Sequence, residues 1–212
     1  MIEPAALLAW SALALIVTLT PGPDTLLVAA HGARGGLRAG MAALAGIMTA
    51  IVVWYGSLIG FGALSVLVAV PMLFLAVKIA GALYLAWLGV GMIWGAVRRK
   101  RESAAPKPVD LRKPYAQGFF TNALNPKVAL FYLAALPQFA GTGPDAPFIG
   151  VMLVGIHAAF GLIWLSFIAF AAARARSIVW NSAAREQVGR WLEGAVGVFF
   201  VGVAGRLALA QR

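Results

Sequence analysis

The sequence predicts an all-α integral membrane protein with six transmembrane helices, arranged as a 3+3 inverted-topology repeat. Three observations carry that prediction. Hydrophobic residues make up 62% of the 212 and charged residues only 11%, against about 25% charged in an ordinary soluble domain. The apolar residues fall into six stretches, each near or above the ~20 residues that a helical crossing needs. Thirteen of the seventeen Lys and Arg side chains lie on the loops that such a topology places on one side. So few charges cannot cover a soluble surface, which excludes an ordinary soluble protein and most soluble enzymes. A formal net charge of +10 would point to nucleic acid in a soluble chain; here it marks orientation, and no nucleic-acid partner is expected. The chain has no Cys and two His, which excludes disulfides and thiolate or multi-histidine metal sites. No cofactor is expected either.

The elements follow in order. Met1 to Pro4 carries Glu3 and no basic residue, and the apolar run from Ala5 to about Ala30 is longer than a signal-peptide core. It is read as a retained first span. Residues 39–77 hold no Asp, Glu, Lys or Arg, a length that exceeds one crossing. Pro71 marks a restart after a turn near residues 66–71. Span 2 therefore covers about 39–65 and span 3 about 72–97, the latter carrying Lys78. Arg98-Arg99-Lys100-Arg101 then opens a polar loop with Pro106, Pro108 and Pro114. Span 4 covers about 115–139, span 5 is charge-free over 146–173, and span 6 runs from about 190 to 209. The chain is one polytopic domain, 1–212: a first repeat of about 1–97, a loop of about 98–114 and a second repeat of about 115–212. The loops after spans 1, 3 and 5 hold the thirteen basic residues. The positive-inside rule puts them in the cytoplasm and both termini outside, in a bacterial-type cytoplasmic membrane.

Three spans is an odd number, so the two halves cross the bilayer in opposite senses. The first span of each half is broken: Thr20-Pro21-Gly22-Pro23-Asp24 in one, Asn122 followed by Asn125-Pro126-Lys127 in the other. A proline removes a backbone donor and clashes with the carbonyl four residues back. In hydrocarbon the freed carbonyls need partners, so irregular backbone at that depth implies a lined, polar cavity. At ~1.5 Å per residue, Pro21 lies ~25 Å along a crossing of ~40 Å, and Asn125 ~15 Å in from the opposite face. The breaks fall at one level. Beside them stand Asp24 and Lys127, each costing at least ~2.5–3.5 kcal/mol in the bilayer on insertion scales. An acid, a base and two exposed half-helix ends match a zwitterion with an ammonium and a carboxylate. The bland alternatives are a structural Asp24–Lys127 ion pair or two simple proline kinks.

At these residues the sequence resembles the LysE/RhtB family of amino-acid exporters. The carrying motifs are Thr20-Pro-Gly-Pro-Asp24 with the glycine run Gly32, Gly35, Gly36, Gly40 and Gly46; Gly118-Phe-Phe-Thr-Asn-Ala-Leu-Asn-Pro-Lys127 with Phe131; and Lys78-Ile-Ala-Gly81-Ala-Leu-Tyr84-Leu-Ala-Trp-Leu-Gly89. They extend across both halves. The resemblance implies efflux of small amino acids or their derivatives from the cytoplasm, driven by the proton gradient. It places the substrate and coupling site at Asp24, Asn125, Pro126 and Lys127, with Pro21, Gly22 and Pro23 forming the break. Family substrates run from lysine and arginine to threonine, homoserine, its lactone and leucine. A dibasic substrate would need a second carboxylate, and acids are scarce here. In an alternating-access cycle Asp24 holds the substrate ammonium or a proton by turns, while Lys127 and amides near Asn125 hold the carboxylate.

Four further residues are candidates. Asn122 stands beside the second break. Lys78 either snorkels to the headgroups or pairs with Asp24 or the outer gate. Tyr84 could touch substrate, although aromatic residues in spans mostly pack. His157 sits near mid-membrane, where it could relay protons or donate to a carbonyl. Glu193 and Arg206 fall near the ends of span 6 and read as interfacial anchors. Gly32-x3-Gly36-x3-Gly40 reads as a turn and tight packing site, and Trp180 among the arginines of 174–190 as a surface-lying segment. Rival functions are weaker. A cation transporter needs several embedded oxygen ligands. An intramembrane enzyme needs a nucleophile and base in reach, and Ser166 and His157 are nine residues apart. A non-catalytic scaffold would leave the breaks with no cavity to line. GxxxG spacing alone does not fix an oligomeric state.

Overall fold

The computed structural model describes residues 2–60, 71–98, 110–141, 143–178 and 182–209. Every regular element among them is helical. The predicted end of span 2, the turn near 66–70, most of the 98–114 loop and the Trp180 region lie outside the described residues.

Proline and glycine set the boundaries. Helix α1, Pro4–Leu19, starts on a proline at a position where the missing N–H matters least. It stops because Pro21 forces the residue before it out of the helical region, and Thr20 is extended (φ −65°, ψ 118°). Gly22 is extended too, and Pro23 opens α2, Pro23–Gly35. The two helices meet at a 49° bend. Gly36, at φ +75°, ends α2 and turns the chain into α3, Leu37–Thr49. That helix widens into a π-helical stretch, Ala50–Tyr55, and closes with α4, Gly56–Gly60. Next comes α5, Pro71–Arg98. Helix α6, Arg112–Ala123, ends before Pro126, which opens α7, Pro126–Ala140. Asn125 caps α7, its side chain accepting from Lys127 N at 3.0 Å. Gly141 (φ +70°) ends α7, and two long helices follow: α8, Ala146–Ile178, and α9, Ser182–Leu209.

Among the described residues, four continuous segments are long and apolar enough to cross a membrane: Leu37–Gly60, Ile79–Arg98, Ala146–Arg176 and Gln187–Arg206. The bent pair α1–α2 makes a fifth. Helices α6 and α7 have 12 and 15 residues, each too short for a crossing by itself. Large apolar side chains cover the outside, with Phe148 76% and Ile163 70% exposed. In water such a surface would be an aggregation liability; in lipid it is the expected exterior.

Two clusters form the interior. One joins α1, α3, α7 and α8 around Trp10, Ile47, Tyr132 and Leu153, and Trp10 Nε1 donates to Leu153 O at 2.9 Å. The other joins α2, α5 and α9 around Leu27, Leu85, Leu88 and Phe200. Small residues let backbones touch where helices cross. A Cβ on Gly46 would collide with the α6 backbone at Tyr115, and one on Gly118 with the α3 backbone at Ala43. Gly32 and Gly40 lie against Ala169 and Ala172 of α8, so their spacing serves the turn and the close packing expected of it.

Candidate functional site

The two helix breaks meet inside the molecule, and each is closed by a side chain from the other half. Pro21 has no N–H to offer Val17 O, four residues back. Lys127 Nζ donates there instead, 2.9 Å from Val17 O and 2.8 Å from Thr20 O. These carbonyls form the negative end of the α1 dipole, a favourable seat for an ammonium. Gly22 permits the approach, since a Cβ there would stand 3.3 Å from Lys127 Nζ. The second break repeats the logic. Pro126 withholds its donor from Asn122 O, which accepts from Asn125 N at 2.9 Å instead, and Lys127 N turns to Asn125 Oδ1, leaving Ala123 O without its helical donor. The Tyr55 hydroxyl, on the π-helical stretch, donates toward both, 3.4 Å from Asn122 O and 3.3 Å from Ala123 O.

Between the breaks lies Asp24, in the first turn of α2 where the helix dipole favours an anion. Its Oδ2 accepts from Asn122 Nδ2 at 2.8 Å and from Asn125 Nδ2 at 3.2 Å. Both asparagines are fully buried. Among the described residues, Asp24 Oδ1, Asn122 Oδ1 and Trp164 Nε1 are buried with no hydrogen-bond partner. These three residues line a small cavity of ≈ 30 Å³ together with Asn125, Lys127 and His157. That is room for about two waters. Ile47, Ile51, Val128 and Leu165 form its apolar wall. Toward Arg34 a much larger cavity, ≈ 610 Å³, lies between α2, α5, α6 and α9.

The fold thus gathers Asp24, Asn122, Asn125 and Lys127 at one point, with Pro21, Gly22, Pro23 and Pro126 shaping the backbone around them. Asp24 and Lys127 do not pair directly; the ammonium sits on carbonyls and the carboxylate on amides. His157 lines the same cavity, its Nδ1 hydrogen-bonded to Tyr132 Oη at 2.7 Å. Tyr84 is elsewhere, its hydroxyl donating to Gln117 O at 3.3 Å. Lys78 lies on α5, its side chain outside the described residues. Glu193 is not an interfacial anchor: it is buried and forms an ion pair with Arg34 of α2. Tyr55 carries no sequence signal, because its role depends on a carbonyl 67 residues away. Among the described residues no three His, Cys, Asp or Glu side chains cluster as a metal site.

The family model described as LysE type translocator matches residues 15–211. The chain is 32% identical over 201 residues to an uncharacterized membrane protein of Pseudomonas aeruginosa, covering 92% of this chain and 91% of that one. It is 29% identical over 198 residues to a leucine efflux protein of Enterobacter sp., covering 92% and 91%. A leucine efflux protein of Salmonella typhimurium is 28% identical over 203 residues, covering 93% and 92%. No solved structure matches the chain.

Proposed function

The chain belongs to the LysE-type translocators, and from that premise we propose that it exports small neutral amino acids or their derivatives from the cytoplasm, by alternating access and in exchange for protons. It is a multi-pass membrane transporter and not an enzyme. Helices α1–α2 and α6–α7 each count as one broken span, which makes six. The packing supports two inverted repeats. The first span of one half (α2) lies on the second span of the other (α8), α6 lies on α3 in the same way, and the third spans, α5 and α9, pair with each other. A two-fold axis in the membrane plane produces that reciprocity. The basic loops support a cytoplasmic position for the Arg34 end of α2.

One observation carries the site: the Asp24 carboxylate, held by Asn122 and Asn125 where the two breaks meet. The substrate ammonium takes Asp24 Oδ1. The substrate carboxylate takes the third N–H of Lys127, whose other two are on Val17 O and Thr20 O, at the positive end of α7. With Asp24 the one acid lining the cavity among the described residues and an aliphatic wall opposite, a neutral side chain is matched and a second cation is not. The leucine efflux relatives support that class. At ≈ 30 Å³ the cavity is too small for an amino acid, so loading requires α2 and α6 to part at the His31–Gln117 hydrogen bond, 2.9 Å. After release outside, a proton on Asp24 neutralises the carboxyl for the return. Proteoliposomes loaded with labelled L-leucine under an imposed pH gradient test this: Asp24→Asn abolishes proton-driven export. Undiminished export by that variant would overturn the assignment.

A further inference from the structure

We propose that the ≈ 610 Å³ cavity between α2, α5, α6 and α9 is a second binding site, which captures the zwitterionic end of a neutral amino acid on the cytoplasmic side before it reaches Asp24. The proposal rests on the export direction argued above. A volume of that size lies within the ~300–1,000 Å³ of small-molecule sites, and the cavity at Asp24 does not. Its charged lining is balanced, with Arg34 and Lys113 set against Asp110 and Glu193. An anionic headgroup or a polycation would leave one sign unmatched; a zwitterion matches both.

Arg34 and Glu193 already form an ion pair across the two halves, their side chains 28% and 9% exposed. Breaking a buried pair by removing one partner leaves an uncompensated charge. A ligand that brings a carboxylate to Arg34 and an ammonium to Glu193 separates the pair without that penalty. Glycines leave room on both sides: the Glu193 carboxylate lies over Gly95 and the Arg34 stem over Gly189. Deeper in, Leu27, Leu88 and Met92 offer an apolar floor for the side chain.

The cavity is also in line with the central site. Leu27, His31 and Arg34 follow Asp24 at spacings of three, four and three residues, so all four share one face of α2. Arg34 is ~15 Å along the axis from Asp24. Helices α2 and α6 are cross-linked twice in series, Asp24 to Asn122 and His31 to Gln117. A substrate leaving the larger cavity meets the second link, then the first.

Equilibrium binding of labelled L-leucine, L-methionine and L-threonine to the chain in nanodiscs tests the site in an Asp24→Asn background, where the central site is disabled. Saturable binding of at least one survives that substitution. Adding Arg34→Gln weakens the residual binding at least tenfold. Gly91→Phe abolishes it with the ion pair intact, since Gly91 lines the cavity and a Cβ there meets nothing within 4 Å. No saturable binding of any of the three in the Asp24→Asn background, or binding unchanged by Arg34→Gln or Gly91→Phe, overturns the second site. Full export by Asp24→Asn would instead overturn the central one, so the two failures are distinct.

Discussion

The proline–lysine closure of the first break lends itself to a quantitative test. Lys127→Met keeps the length of the stem and removes the donors to Val17 O and Thr20 O. A hydrogen bond from a charged donor contributes ~1.5–3 kcal/mol in proteins generally. Those measured between helices in a membrane average ~0.6, with a maximum of about 1.7. Val17 is half-buried and Thr20 exposed, so only the first carbonyl loses its partner outright. The expected loss is therefore about 1–3 kcal/mol, read as a shift in equilibrium unfolding by SDS in mixed micelles and followed by Trp fluorescence. Lys127→Arg recovers most of it. The decisive variant is Pro21→Ala, which removes the ring clash and gives the chain back an N–H for Val17 O. In that background Lys127→Met costs less, a coupling of about 1 kcal/mol in a double-mutant cycle. Additivity to within ~0.5 kcal/mol would refute the claim that the lysine stands in for the donor that proline withholds.

Two further expectations concern packing and capping. Gly118→Ala forces α3 and α6 apart and destabilises by more than about 2 kcal/mol, whereas Gly205→Ala, with nothing within 4 Å of the added Cβ, is neutral or stabilising by up to ~1 kcal/mol; thermal midpoints in detergent separate the two. Asn125 has two roles that separate by substitution. Asn125→Ser keeps a capping oxygen for Lys127 N and is ~1 kcal/mol more stable than Asn125→Ala; both lose the amide donor to Asp24 and export equally poorly in the proteoliposome assay.

What could be read from the sequence follows from where each property resides. The breaks were legible because proline chemistry is local: Pro21 and Pro126 each withhold a donor wherever they sit. Asp24 and Lys127 were legible because a charge deep in an apolar run is expensive to keep. Their meeting was suggested by matched depth, but their partners were not. Matched depth is equally compatible with an ion pair, and the structure puts Lys127 on the carbonyls of α1 and Asp24 on two asparagine amides. Glu193 looked interfacial because position along a helix says nothing of which neighbour it faces; α2 supplies Arg34 at that face. Tyr55 was invisible for the same reason, and the π-helical stretch that carries it has no composition of its own.

The reciprocity of these contacts bears on how the halves can move. Lys127, from the second half, closes the break in the first; Tyr55, from the first, closes the break in the second. Asp24 is held by two residues of the opposite half, and Arg34 by Glu193. A proline kink closed within its own half would leave the halves free to slide, with apolar contacts that lipid replaces at little penalty. Here the links at the two breaks and at Arg34 end on a backbone carbonyl or a charged group. Breaking one leaves an unpaired polar group in a low-dielectric interior unless something polar takes its place. A zwitterion carries both signs needed for that exchange, at Asp24 and Lys127 as at Arg34 and Glu193. At Asp24 and Lys127, water alone would have to solvate each group separately in a cavity that admits about two molecules. The polar links therefore bias the halves to stay together until a ligand of matching charge arrives.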